Sequence, residues 1–269
     1  MKAGGSPDPG AELLAVLEIL HAVRDNLNID LRDAAPEYFK TLPVFEVICN
    51  YPAPLGATEN EYRIPIFKGS GEPDITRATL SRAAGLSTVA FDTNALECQF
   101  LQGWLIQDRF MLRGVIGAPY EFLWANPYQP GLAYAHLPLS LHDEGSGDLF
   151  LRSDWEEDAT WFALYKGEAQ LFRDGKITVL SQQARTGKPE PIHVGPAGVV
   201  LARNPLLFQA DEGGQWFIIG AKPRATYDVE IDDEEMCEMQ ADTAGTLELR
   251  IAGERSPGVR IKELAARAR

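Results

Sequence analysis

Leu13, Leu14, Leu17, Leu20 and Val23 recur at the spacing of one helical face. They follow Asp8-Pro9, a side-chain acceptor and then a residue that needs no N–H partner in a first turn. This predicts an amphipathic helix ending near Arg24. Residues 41 to 73 carry Pro43, Pro52, Pro54, Pro65 and Pro73 among several glycines, so a mostly irregular path is expected there. A second helix is expected from Asp74 to Ala84. A third should start at Asp92 or Thr93 and run to about Ile116, with Leu96, Phe100, Leu101, Trp104, Leu105, Met111, Leu112 and Val115 as a broad apolar face before Gly117 and Pro119.

Beyond residue 147 the period changes. Runs at Asp148–Ser153, Thr160–Tyr165, Ala169–Phe172 and Ile177–Ser181 are rich in β-branched and aromatic residues, and Asp174-Gly175 between the last two is a type I′ hairpin signal. Gly198–Ala202, Leu206–Gln209, Trp216–Gly220, Thr226–Ile231 and Thr246–Ile251 continue the series with turn residues between them. Helices followed by strands, with no βαβ alternation, predict α and β elements in series: a helical unit over residues 1–140, an antiparallel β-sandwich over 141–261 and a short basic tail over 262–269 with Arg267 and Arg269.

With 269 residues the chain is long enough to bury a sizeable core, and 45% hydrophobic against 24% charged residues is ordinary for a folded protein. A formal net charge of −14 repels phosphate backbones and anionic lipid, so neither nucleic acid nor a membrane surface is expected as a partner. No run approaches the ~18 apolar residues of a membrane helix, and the N-terminal residues lack a secretory apolar region, which makes the cytoplasm the expected location, or an extracytoplasmic one if the chain is a fragment. Cys49, Cys98 and Cys237 lie far apart with no CxxC pair, consistent with small buried hydrophobes. No P-loop, dinucleotide fingerprint or GxSxG elbow occurs, and no cofactor is expected.

The densest unusual feature is residues 119–142, where Tyr120, Phe122, Trp124, Tyr128 and Tyr134 stand among Pro119, Pro127, Pro130 and Pro138, followed by His136 and His142. Rings with polar tips on a stiff, non-helical loop suit a sugar-stacking platform; the alternative is that they wedge the helical unit against the sandwich. Period-two alternation in an extended segment would put Tyr134 and His136 on one face, where they could act as base and acid. His136, His142 and Asp143 also raise the reading of a metal-dependent enzyme, although their spacing matches no zinc pattern. Asp228 to Glu238 holds seven acids in eleven residues, which reads either as a calcium site without EF-hand spacing or as a solvated turn. Asp154, Glu156, Glu157 and Asp158 around Trp155 read as a hairpin loop. Arg109 and Arg113, four apart on the third helix, and Arg152 at the first long strand could border one anionic subsite.

Arg152, Ser153, Trp155, Asp158 and Ala159 fit the Arg-Ser-x-Trp-x-x-Asp-Ala strand-turn that opens the β-domain of heparinase II/III-like polysaccharide lyases, and this stretch resembles that family. The order of helices before a β-sandwich is also similar. The family's His-Gly-His-type stretch is missing: after Ala159 the chain runs Thr-Trp-Phe-Ala-Leu-Tyr-Lys-Gly-Glu and has no histidine until His193. The family's helical toroid also needs more helices than are readable here, so the resemblance implies either the C-terminal part of a larger lyase-like protein or a short relative that no longer cleaves. The resemblance implies a carbohydrate-related protein that binds a polysaccharide through Trp124 and Tyr128, with Arg113 and Arg152 meeting carboxylates and Tyr134 or His136 serving any surviving β-elimination. The other reading is a non-catalytic interaction or structural module whose acidic surface recognises a basic protein partner.

Overall fold

The computed structural model describes residues 8–54, 63–68, 75–108, 117–126, 128–180, 189–201, 206–211, 213–232, 235–252 and 256–264. Helices come first and sheets second. Two units result: 1–141 together with 154–159, and 142–153 together with 160–269.

The helical unit contains α1 (Ala11–Leu27), α2 (Pro36–Ile48), α3 (Ile75–Phe91), α4 (Leu96–Asp108) and α5 (Ala118–Trp124). The expected apolar face of α1 is its buried face, with Leu13, Leu14, Leu17 and Leu20 inside, and Asn28 ends the helix in the left-handed conformation. Helix α2 is a short helix that enters the start of the stretch expected to be mostly irregular. Pro36 sits in its first turn and Pro43 inside it. The ring removes one backbone donor, yet every residue from Leu42 to Ile48 is buried, so packing on all sides outweighs the lost bond. Helix α3 runs past Gly85 to Phe91, because that glycine lies against Leu101 and Leu105 of α4 and lets the two helices approach closely. The expected third helix is observed as α4 to Asp108; residues 109–116, with Arg109 and Arg113, lie outside the described residues.

Arg82 of α3 is buried at the centre of this unit. Its Nε donates to Asp108 Oδ2 at 2.7 Å, Nη1 to Asn50 Oδ1 at 3.2 Å and Nη2 to the Arg63 carbonyl at 2.6 Å, and its guanidinium lies 4.2 Å from the Trp104 ring centroid. Asn50 in turn donates to the Glu46 carbonyl at 2.7 Å. The backbone around residues 49–51 pairs with 64–66, Ile66 N donating to Cys49 O and Tyr51 N to Ile64 O.

The second unit is a stack of three sheets. The first is a meander of β1 (Ser140–Asp143), β2 (Asp148–Arg152), β3 (Trp161–Tyr165), β4 (Glu168–Arg173) and β5 (Lys176–Leu180) in sequential order. Asp174 and Gly175 both have positive φ, as the hairpin signal required. The remaining strands are β6 (Ile192–Val194), β7 (Ala197–Leu201), β8 (Leu206–Gln209), β9 (Gly214–Ile219), β10 (Thr226–Ile231), β11 (Glu235–Gln240), β12 (Thr246–Ile251) and β13 (Gly258–Glu263). They form sheets of order β12-β9-β7-β6 and β11-β10-β13-β8.

The sheet β12-β9-β7-β6 is the middle layer. Val199, Phe217 and Ile219 pack with Leu149, Leu151, Phe162 and Leu164 of the meander. Val200, Trp216, Ile218, Leu247 and Leu249 pack with Phe208, Tyr227, Val229, Val259 and Ile261 of the third sheet. A sheet buried on both faces needs apolar residues at consecutive positions, which is why Trp216-Phe217-Ile218-Ile219 is unbroken by polar residues. Two details differ from a plain antiparallel sandwich: there are three layers, and β7 runs parallel to β9. The acidic segment 228–238 falls mostly on two paired strands, Asp228 opposite Glu238 on one side and Lys262 on the other. Among the described residues no group of His, Cys, Asp and Glu is placed to hold a metal ion, and no helix is long and apolar enough to cross a membrane.

Glu46 of α2 is buried, and among the described residues neither of its carboxyl oxygens has a partner in good hydrogen-bond geometry. Burial pushes its pKa up to about 8, against smaller opposing effects of Thr88 and Arg82. The folded state therefore holds a proton that the unfolded chain, with a value near 4.5, releases. Stability is lost as pH rises between these two values. In Glu46→Gln this slope should vanish: the variant gains on the order of 4 kcal/mol relative to wild type between pH 5 and 8.5, measurable by urea unfolding at both pH values.

Candidate functional site

The proline-rich aromatic segment is partly helical. Pro119 occupies the first turn of α5, where its missing N–H costs nothing, and residues 118–124 form two turns. This helix is held by a column of rings. Tyr120 stacks on Trp124 at 5.5 Å, Trp124 on His21 of α1 at 5.2 Å, and His21 lies 3.7 Å from the Phe91 ring of α3. Arg24 and Arg32 approach Phe91 at 4.4 and 4.6 Å and close the far end of the column.

His21 is the polar joint of that column. Its Nε2 lies 3.0 Å from the Ser87 carbonyl, so this nitrogen carries the hydrogen, and its Nδ1 accepts from Arg24 Nη2 at 2.9 Å. The ring is thus neutral in this arrangement. Burial lowers its pKa in the same direction, and the nearby Arg24 charge adds to the effect. At the outer end, burial and then Glu18 raise the Tyr120 pKa, which keeps the phenol protonated.

After α5 the chain turns back across α4. Gln129 N donates to Asn126 O, Tyr128 N to Asn126 Oδ1 at 3.1 Å, and Gln129 Nε2 to Thr93 O at 3.1 Å. Leu132 N donates to Gln99 O at 2.9 Å. Gly131 crosses Gly103 of α4 so closely that a Cβ on Gly131 would sit 2.6 Å from the Gly103 Cα, and one on Gly103 would collide with Leu132 O. The backbone of residues 128–133 is therefore fastened at several points, yet the Tyr128 side chain projects from it 94% exposed. Phe122, on the outer side of α5, is 91% exposed, and Leu123 beside it is also exposed.

The sequence-predicted residues separate into groups. Tyr128 stands free on its anchored loop. Trp124 is half-buried within the column, so one of its ring faces is taken by His21 and the other by Tyr120. Tyr134 and His136 do not share a face: they lie in a 3-10 turn, Tyr134–His136, whose period of three separates positions two apart. Tyr134 is 6% exposed and meets Trp155 edge-on at 5.7 Å, while His136 is exposed. Arg152 is buried within β2, opposite Trp161 of β3. Arg113 lies outside the described residues. The carboxylate-binding pair Arg113 and Arg152 is thus not assembled by anything described.

Phe122 was visible in the sequence only as one ring among five. Its exposure follows from α5 being helical, which the prolines concealed: Tyr120 and Trp124, four apart, face the column, and Phe122 between them faces outward. His142, a candidate metal ligand from sequence, instead lies 3.0 Å from Asp242 Oδ2 and 3.0 Å from Glu248 Oε2.

Gly103→Ala is expected to lower stability by about 1–3 kcal/mol through overpacking. It should also raise protease cleavage within residues 125–133, since the added carbon displaces that loop from α4; urea unfolding and limited proteolysis measure the two effects. No family model matches the chain, and neither a curated protein nor a solved structure is similar to it.

Proposed function

We propose that the chain binds sugar polymers as a carbohydrate-related protein akin to the C-terminal portion of heparinase II/III-like lyases. The observation that carries this reading is Tyr128, a ring 94% exposed on a backbone tied down on both sides. An aromatic side chain fixed in water forgoes its burial energy, and a flat ring with a hydroxyl tip is suited to stack on a pyranose face while its edge hydrogen-bonds. Phe122 supplies a second exposed ring, and the Tyr120–Trp124–His21 column behind α5 keeps that helix from shifting.

Binding is favoured over β-elimination by the placement of the candidate acid and base. A proton-transfer pair must reach one substrate carbon, whereas Tyr134 is enclosed against Trp155 and His136 projects to solvent. Stacking dominates recognition, and carboxylate capture contributes little, because Arg152 is buried in β2.

Affinity electrophoresis of the purified chain through gels containing neutral or uronate-bearing polysaccharides tests this. At least one polymer should retard the wild type, with Tyr128→Ala and Phe122→Ala each weakening retardation about tenfold, the loss expected for one stacked ring. Uniform mobility in every gel, or retardation unchanged in both variants, would overturn the reading and direct attention to a basic protein partner.

A further inference from the structure

His142 lies on β1, the edge strand of the meander, and its ring reaches the neighbouring middle sheet. Nε2 is 3.0 Å from Asp242 Oδ2 in the turn between β11 and β12, and Nδ1 is 3.0 Å from Glu248 Oε2 on β12. Two carboxylates can both be satisfied only if both ring nitrogens carry hydrogen, that is, by an imidazolium. The Phe217 ring of β9 packs edge-on at 5.6 Å and excludes water from one side. The ring also borders a groove of about 370 Å³ whose charged walls, besides Asp242 and Glu248, are Glu144 and Arg224.

The two carboxylates are held unequally. Asp242 is almost fully buried, and its other oxygen accepts from Ala244 N at 2.8 Å and Thr246 N at 2.7 Å. Glu248 is 29% exposed on the groove, and its second oxygen accepts from Gln215 Nε2 at 2.7 Å. The same contact line is continued by Thr243, whose hydroxyl donates to the Glu144 and Gly145 carbonyls of the β1–β2 turn. Gly147 of the β1–β2 turn also lies close against Ala244 of the β11–β12 turn.

We propose that His142 is a pH-operated clasp between the meander edge and the middle sheet, and that loss of its Nδ1 proton releases Glu248 into the groove. A neutral imidazole keeps one N–H, and Asp242, with its fixed backbone partners, retains it. The Nδ1 lone pair then faces Glu248, the carboxylate with access to water, and repels it. Burial alone would disfavour the charged ring, but the hydrogen bonds and charges of Asp242 and Glu248 outweigh burial and raise the His142 pKa, while the same bonds hold both carboxyls below their ordinary values against their own burial. Among the described residues the other charges near the cluster are Glu144 and Arg224 on the groove and Arg250 beside Glu248, while Asp143, the next residue along β1, is exposed. The stabilisation from the clasp is fully present below the unfolded value near 6.5 and is lost as pH rises through the raised folded value.

Long-range proton–nitrogen NMR of the histidine rings in the full chain from pH 5 to 10 tests this, with His142→Gln assigning the signal among the four histidines. His142 should titrate above 6.5 and leave the Nε2–H tautomer. Glu248→Gln should lower the midpoint by about one pH unit. Amide protection factors at residues 144–147 and 242–245, corrected for the intrinsic base-catalysed rate, should fall through the midpoint in wild type and be low at every pH in His142→Gln. A midpoint at or below 6.5, a surviving Nδ1–H tautomer, or protection factors unchanged with pH overturns the proposal; if His142→Gln does not fold, the Glu248→Gln shift decides it.

Discussion

A guanidinium cannot be taken out of water unless nearly every N–H finds an acceptor, and Arg82 satisfies that demand from three separate parts of the helical unit. Asp108 lies at the end of α4, Asn50 just past α2, and the Arg63 carbonyl on the strand-like segment that returns beside residues 49–51. Each acceptor must be where it is for α3 to bury this side chain. The constraint therefore fixes α3 against α4, and from these two helices the rest of the candidate site is built. Helix α4 offers Gln99, Gln102 and Gly103 as the bed on which residues 126–132 are fastened. Helix α3 ends at Phe91, the base of the ring column that steadies α5. The backbone that carries Tyr128 and Phe122 thus rests on two helices that the buried Arg82 ties together.

The β-unit solves a different problem. Its middle sheet packs an apolar cluster on each face, which leaves charged groups to the sheet edges and turns. His142, Asp242 and Glu248 stand at such an edge, where β1 and β12 border their sheets. An edge is also the place where a charged cluster can reach solvent without opening the core. That is why the same three residues can be satisfied at one protonation state and rearrange at another while the Phe217 and Trp216 layers stay packed.

Elements whose chemistry and period agree were legible from the chain. The β10 and β12 boundaries coincide with the expected runs Thr226–Ile231 and Thr246–Ile251, and the leucine face of α1 is buried as its spacing required. Elements were missed where composition opposed conformation. Pro43 hid α2 and Pro119 hid α5, because proline statistics describe an isolated chain while burial and first-turn placement decide in the fold. Strand β11 was hidden by its acids, which are tolerated because it is an edge strand. The rings of the candidate site were legible as a group, but their division into column and platform was not: it depends on α5 being helical, and on His21, more than a hundred residues from its partner Trp124. Pairings of that kind, like His142 with Glu248, leave no local signal.

The strand-turn that suggested a polysaccharide lyase has a structural occupation for each residue that can be followed. Arg152 is buried on β2, and Ser153 Oγ accepts from Thr160 N at 2.9 Å while Ser153 N donates to Thr160 O, so that the turn between β2 and β3 is closed at its base. Trp155 is buried, with its indole N–H donating to the Leu137 carbonyl at 3.1 Å and its ring against Tyr134. Ala159 is buried, leaving no room for a larger side chain without repacking. A motif engaged in this way specifies how a loop is shaped and says little about what reacts. On the proposed sugar-binding reading, recognition rests on side chains the fold leaves unburied, and among the described residues Tyr128 and Phe122 are the two most exposed large rings.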